Sequence, residues 1–66
     1  MTGREFLKLV THRGIPLSCI AGRLNCKLAT LRAFEFMESV PKPYIIKFIS
    51  AFQDSLSEQD MQLLTQ

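Results

Sequence analysis

Apolar residues recur three and four positions apart along most of this chain, the spacing that places them on one face of an α-helix. No stretch alternates apolar and polar residues between the turn signals that would bound a β-hairpin. Residues that start or stop helices divide the pattern into short segments. We therefore expect an all-α fold in which five short helices pack into one compact unit.

The first two segments carry clear boundary signals. Thr2 and Glu5 have the spacing of a capping box at a helix start, and Gly14 suits the left-handed residue that ends a helix. Pro16 fits the first position of the second helix, where its missing N–H costs nothing. Asn25 is next best to glycine for a left-handed stop, so the second helix is expected to end there.

The later boundaries are set mainly by prolines and one serine. A third helix is predicted at about residues 27–36, and the prolines within residues 40–43 predict a loop after it. Pro43 is expected to open the fourth helix and Ser57 to cap the fifth. The apolar face of the fourth helix would be formed by Ile45, Phe48, Ile49 and Phe52.

Length and charge limit the possible functions. The chain has 66 residues, 47% of them apolar, which suffices for one small domain but leaves little room for both a core and a catalytic pocket. Residues 1–34 carry six Lys and Arg against one Glu, whereas residues 35–66 carry two Lys against five Asp and Glu. A basic half can present a phosphate-facing surface despite a net charge of only +2. The alternative is a chance asymmetry among few charges.

Residues 17–36 match the spacing of a DNA-binding helix-turn-helix, in which two short helices cross steeply and a tight turn joins them. Ala21, in the first helix of the motif, is the small residue over which the second helix of the motif passes. Asn25 tolerates the positive φ of the turn between them. The inward positions are apolar, namely Ile20, Leu24, Cys26, Leu31 and Phe34. The pattern therefore predicts a helix-turn-helix at about residues 17–36 of a single domain that spans residues 1–66.

On these residues the chain resembles the λ-repressor-like regulators of the Cro/C1, or xenobiotic-response-element, type over about residues 4–64. Glu35 just after the motif, Pro41 a few residues further on and two trailing helices extend the resemblance. It implies a compact five-helix domain whose third helix enters the major groove of double-stranded DNA, and a homodimer that reads two half-sites about one helical turn apart. The expected function is a sequence-specific DNA-binding transcription regulator, a dimeric repressor of the phage, plasmid or mobile-element type.

The chain departs from the family pattern at positions that bear on recognition. Val10 stands where many members carry an arginine that pairs with the acidic residue at the position of Glu35. Apolar residues also occupy places where the family often has polar groups that touch DNA, namely Leu17, Leu28, Ala29 and Ala33. Base reading through hydrogen bonds would then fall on few side chains.

Arg32 is the best candidate for direct base reading, because its guanidinium can donate to both O6 and N7 of guanine. Lys27 suits a phosphate or a guanine, and Ser18 suits a phosphate at the start of the second helix. Arg23 and Lys42 would add attraction that is independent of sequence. The other predicted DNA contacts are Leu17, Leu28, Ala29, Thr30 and Ala33, of which Leu28, Ala29 and Thr30 suit thymine methyl groups or the DNA backbone. The alternative is that the charged side chains are ordinary solvated surface residues.

A second function is compatible with the same fold. Large apolar residues near the end of the motif and near the C-terminus either belong to the core or form an exposed patch of the kind that marks a protein interface. The predicted interface residues are Phe36, Met37, Val40, Tyr44, Met61, Leu63 and Leu64. Such a patch would serve a homodimer, or a protein-interaction module that binds another regulator as an antiactivator or adaptor.

Nothing in the sequence indicates an enzyme, a metal site or a cofactor. Cys19 and Cys26 are spaced wrongly for a zinc pair and are expected to be buried or half-buried thiols. Glu35 and Glu38 lie one turn apart without a pocket, as on a solvated helix edge. Because no apolar run is long enough to cross a membrane and the first residues do not fit a signal peptide, we expect a cytoplasmic protein without a membrane partner.

Overall fold

The computed structural model describes residues 1–65, which contain five α-helices and no β-strand. The helices are α1 (Gly3–His12), α2 (Leu17–Leu24), α3 (Leu28–Arg32), α4 (Lys42–Phe52) and α5 (Glu58–Leu64). A 3-10 helix at Ala33–Phe36 continues α3, and another at Gln53–Ser55 continues α4. The all-α class and the five helices predicted from the apolar spacing are confirmed.

Two helices begin with reciprocal capping boxes. At α1, the Thr2 hydroxyl oxygen accepts the Glu5 N–H at 3.1 Å, and the Glu5 carboxylate accepts the Thr2 N–H at 2.9 Å. At α5, the Ser57 hydroxyl accepts the Asp60 N–H at 3.2 Å, while the Asp60 carboxylate accepts the Ser57 N–H at 3.1 Å. These bonds satisfy amides that the first turn of a helix leaves without partners.

The first two helices end in the same way. Gly14 has φ of 71°, and its N–H donates to the Thr11 carbonyl at 3.0 Å while the next N–H reaches the Val10 carbonyl at 3.0 Å. Asn25 has φ of 56°, and the corresponding bonds run from Asn25 to Gly22 at 3.4 Å and from Cys26 to Ala21 at 3.0 Å. Both are Schellman motifs, in which a left-handed residue turns the chain back over the last carbonyls.

Three predicted boundaries need correction. Pro16 lies one position before the second helix, at its N-cap, with extended backbone angles rather than at the first helical position. The fourth helix begins at Lys42, so Pro43 is inside its first turn instead of opening it. The predicted third helix is α-helical only over Leu28–Arg32, because the chain tightens into a 3-10 helix from Ala33. Proline tolerates any of the first few positions because their amides have no partner within the helix, so it does not fix a boundary to one residue.

The core consists mainly of side chains from α1, α2, α3 with its 3-10 extension, and α4, and it also includes one residue of the loop before α4 and one of α5. Phe6 of α1 lies at its centre, with its ring centroid 5.6 Å from that of Phe34 and 5.0 Å from that of Phe48. Burying a large apolar side chain contributes about 1.5–3 kcal/mol to folding. The largest side chains without measurable exposure are Phe6, Phe34, Phe48, Ile20, Leu24, Leu31 and Val10.

A glycine allows α1 to approach the segment that follows α3. A Cβ atom built on Gly3 would lie 1.5 Å from the backbone oxygen of Phe34, so no other residue fits here without displacing backbone. The Gly3 N–H donates to the Met37 carbonyl at 2.9 Å, and the Val40 N–H donates to the Met1 carbonyl at 3.1 Å. Two backbone hydrogen bonds thus join the first three residues to the loop that precedes α4.

An ion pair connects α1 to α5. The Arg13 guanidinium lies 2.7 Å from the Asp60 carboxylate and also donates to the Ser57 hydroxyl at 3.2 Å. The hydrogen bond from Arg13 holds the pKa of Asp60 below its ordinary value, and the bond from the Ser57 amide acts in the same direction. Asp60 is only 6% exposed, so its charge needs these partners.

Two residues predicted for an interface belong to the core instead. Val40 is 5% exposed and Leu64 is 4% exposed, so neither can form a partner-facing surface. Both pack with the buried residues because the loop before α4 and the last turn of α5 close over the core. Among residues 1–65, no helix has the length and apolar character required to cross a membrane.

Candidate nucleic-acid interface

The α2 and α3 helices are held together by the residues that the motif predicted. Ile20, Leu24 and Leu31 have no exposed surface, and Ala21 is 6% exposed. Asn25 is left-handed and Lys27 is the extended N-cap of α3, so the turn between the helices is only three residues long. Cys26 is half-buried against the core, as expected for an inward position. These contacts fix the orientation of α3 on the domain.

One face of α3 and its 3-10 extension is exposed to solvent. Leu31 and Phe34 point into the core and have no exposed surface, and Thr30 is half-buried. The opposite face is formed by Leu28, Ala29, Arg32, Ala33, Glu35 and Phe36, all of which are exposed. The predicted contacts Leu28, Ala29, Arg32 and Ala33 therefore share one accessible surface, which we call the α3 face.

The predicted phosphate contacts are also accessible. Lys27 at the start of α3, Arg23 in the last turn of α2 and Lys42 at the start of α4 are all exposed. Ser18 is exposed and Leu17 half-buried in the first turn of α2, which has no side-chain cap. A helix start without a cap leaves amides free to bond an anion.

The structure changes the interpretation of the basic half. Arg13 is paired with Asp60 from the acidic half, so its charge is not free for a phosphate. Val10 is fully buried and Glu35 is exposed, so the acidic residue after the motif faces solvent. Within α3 and its N-cap, the positive charge thus rests on Lys27 and Arg32.

The α3 face is more apolar than a typical DNA-reading surface. Phe36 is 80% exposed, a high value for an aromatic side chain, and Leu28 is 36% exposed. Of the other predicted interface residues, Leu63 is 45% exposed, and Met37, Tyr44 and Met61 are half-buried. The predicted interface residues therefore do not form one patch of exposed side chains.

Two exposed side chains were not anticipated. Ile46 is 64% exposed on α4, and the signal for it was that Ile45 and Ile46 are adjacent, so a helix cannot turn both inward. Cys19 is exposed, contrary to the expectation of a buried or half-buried thiol. It lies in the first turn of α2, on the side of the helix opposite the buried stripe that begins at Ile20.

No group of three or more His, Cys, Asp and Glu side chains within residues 1–65 could hold a metal ion. A groove of about 460 Å³ lies between α1 and α5, and its lining residues include Glu5, Lys8, His12 and Asp60 but none from the helix-turn-helix. Comparison of the chain with protein families, curated proteins and solved structures gives no match.

Proposed function

We propose that this protein is a sequence-specific DNA-binding regulator of transcription that places α3 in the major groove. The observation that supports the proposal is the α3 face itself: an exposed helix surface carrying Arg32, with Lys27 at its start, on a helix fixed by fully buried Leu31 and Phe34. A recognition helix needs this combination of a rigid inner face and an accessible outer face.

Charge favours the same orientation on DNA. With α3 in the groove, Arg32 reaches base edges, while Lys27 at the start of α3, Arg23 in the last turn of α2 and Lys42 at the start of α4 suit phosphates. Phosphate contacts position the protein, and the base contact supplies sequence preference. A homodimer on a two-fold symmetric operator doubles both sets of contacts, and occupancy of an operator near a promoter represses transcription.

The test begins with selection. The purified protein is incubated with a random-sequence duplex library, and the retained fraction is sequenced. Enrichment of a two-fold symmetric site is the expected result. Affinity for the enriched duplex is then measured by fluorescence anisotropy at about 50 and 200 mM salt. Over this fourfold increase in salt, a monomer with three phosphate contacts should bind about 40-fold more weakly, and a dimer with six contacts about 1,800-fold more weakly.

Two charge reversals separate the α3 face from the rest of the surface. Arg32→Glu should lower affinity for the enriched duplex about tenfold or more, since it removes a bidentate guanine contact. Lys47→Glu makes the same kind of change on an exposed residue of α4 outside the motif and serves as the matched control. Equal effects of the two variants, or no enriched site at all, would contradict the proposal.

The exposed Phe36 and Leu28 favour a second candidate function, a protein-interaction module on the same fold. An exposed aromatic side chain at one end of the α3 face and a leucine at the other are suited to a partner protein's surface. In that case the affinity for the partner protein changes little with salt concentration. Phe36→Asp should then abolish binding of the partner, while Arg32→Glu should not. A steep loss of affinity with salt favours the DNA-binding function instead.

A further inference from the structure

We infer that α3 reads its half-site mainly through thymine methyl groups, with one guanine contact from Arg32. This inference rests on the proposed function and names the class of sequence that the protein binds. It follows from which side chains the fold exposes on α3 and which it turns inward.

Hydrogen-bond donors are scarce on the α3 face. Among residues 28–36, Arg32 is the only exposed side chain that can donate a hydrogen bond, because Thr30 is half-buried. Glu35 is the only exposed acceptor, and a carboxylate can accept from cytosine N4 but repels phosphate. Asn and Gln, the residues that bond adenine in both directions, do not occur in this segment. Direct readout by hydrogen bonds is therefore limited to about one base pair of G·C.

The rest of the α3 face is apolar. Leu28 and Ala29 lie one turn before Arg32 and Ala33, so aliphatic groups flank the guanidinium on the same surface. Phe36 extends this surface at the far end and is 80% exposed. In the major groove the only apolar group that bases present is the C5-methyl of thymine. The occupant that complements this surface is thus a stretch of T·A pairs beside one guanine.

The length of the segment sets the length of the half-site. Five α-helical residues followed by four 3-10 residues rise about 15 Å, so a segment of this length can contact only a few consecutive base pairs of the major groove. Arg32 lies near the middle of the segment. The expected half-site core is therefore a few base pairs, with one guanine between positions that prefer thymine.

The experiment removes methyl groups from the DNA and leaves the protein unchanged. In the duplex enriched by selection, each thymine of the half-site is replaced in turn by deoxyuridine, which pairs identically but lacks the C5-methyl. Affinity is expected to fall about fourfold for each methyl that contacts the α3 face, from the free energy of burying one such group. Deoxyuridine at thymines outside the half-site is the matched control and should change nothing.

A protein variant then assigns the contact. Leu28→Ala removes an exposed side chain, so circular dichroism should show the same helical content as the wild type. In this variant, deoxyuridine at the thymine that faces Leu28 should no longer weaken binding, while the other positions keep their effect. If the variant loses the effect of deoxyuridine at this one thymine only, the Leu28 side chain and the methyl group of that thymine are in contact.

The outcomes separate this inference from the proposed function. An enriched site whose affinity is unchanged by every deoxyuridine substitution overturns methyl readout and leaves sequence-specific DNA binding intact. An enriched site with several guanines and no thymine preference does the same. The absence of any enriched site overturns both.

Discussion

Replacement of Gly3 by alanine tests the packing between α1 and the 3-10 helix that continues α3. A Cβ at this position would lie 1.5 Å from the Phe34 carbonyl oxygen and 2.5 Å from its carbon, and both are backbone atoms. Real Cβ atoms essentially never come within 3.0 Å of such a neighbour. The alanine variant must therefore move α1 and the Phe34 backbone apart, which also displaces the segment that follows α3.

The cost follows from two local effects. Overpacking of this kind costs about 1–3 kcal/mol, and loss of the bond from the Gly3 N–H to the Met37 carbonyl adds about 1 kcal/mol. We expect the free energy of unfolding to fall by about 2–4 kcal/mol, out of the roughly 3–10 kcal/mol typical for a chain of this length. In a domain this small the melting temperature should drop by about 10 °C or more.

Urea denaturation followed by far-ultraviolet circular dichroism measures the change, with the midpoint and slope fitted separately. Gly22→Ala is the matched control, because a Cβ there meets nothing within 4 Å in the interior of α2. It should raise the free energy of unfolding by about 0.5–1 kcal/mol, since alanine loses less backbone entropy than glycine. If Gly3→Ala unfolds within about 0.5 kcal/mol of the wild type, α1 does not approach Phe34 as described.

Three further predictions concern the core, the turn and the acid limit of stability. Phe34→Ala removes a fully buried ring and should lower the free energy of unfolding by about 3–5 kcal/mol. Phe36 is 80% exposed, so Phe36→Ala should change this free energy by less than about 0.5 kcal/mol. Similar losses for the two variants in thermal unfolding would contradict the burial assigned to the two rings. Asn25→Ala should destabilise the domain by about 1 kcal/mol in urea, because alanine is poorly tolerated at φ of 56°, and Asn25→Gly should not; a neutral alanine would argue against the left-handed turn. The hydrogen bond from Arg13 lowers the pKa of Asp60 below 3.8 in the folded protein. In acid the unfolded chain therefore binds more protons than the folded one. The stability due to this carboxylate is fully present above about pH 5 and is lost as pH falls through the folded-state pKa. Asp60→Asn should therefore lower the free energy of unfolding at neutral pH by about 2 kcal/mol and make it decrease less steeply in acid. The decrease that remains is due to Glu5, whose pKa is also lowered by a hydrogen bond from the Thr2 amide. An unchanged dependence on pH in acid would refute this assignment.

Local signals predicted most of the fold because the interactions that create them are local. The capping boxes at Thr2 and Ser57 and the left-handed stops at Gly14 and Asn25 each involve residues within five positions of one another. The inward side of the helix-turn-helix was also predictable, because the 3.6-residue period places Leu31 and Phe34 on the same side.

Properties that depend on distant parts of the chain were not predictable. Arg13 and Asp60 are 47 positions apart, and the sequence gives no sign that one cation of the basic half is neutralised by α5. Burial of Val40 and Leu64 likewise depends on how the loop and α5 close over the core. Of the candidate site, the helical period placed Leu28, Arg32 and Ala33 on one exposed face, whereas the half-burial of Thr30, a predicted contact, and the degree of exposure of Phe36 required the packed structure.

The position of Tyr44 makes it an intrinsic fluorescent probe of the packing around α4. The chain has one tyrosine and no tryptophan, so any intrinsic fluorescence excited at the red edge of aromatic absorption comes from this ring. Tyr44 lies half-buried in the first turn of α4, with its centroid 5.3 Å from that of Phe34. Its emission is therefore sensitive to the separation of α4 from the 3-10 helix that continues α3. A movement of that helix on engaging a ligand would be visible without any attached dye.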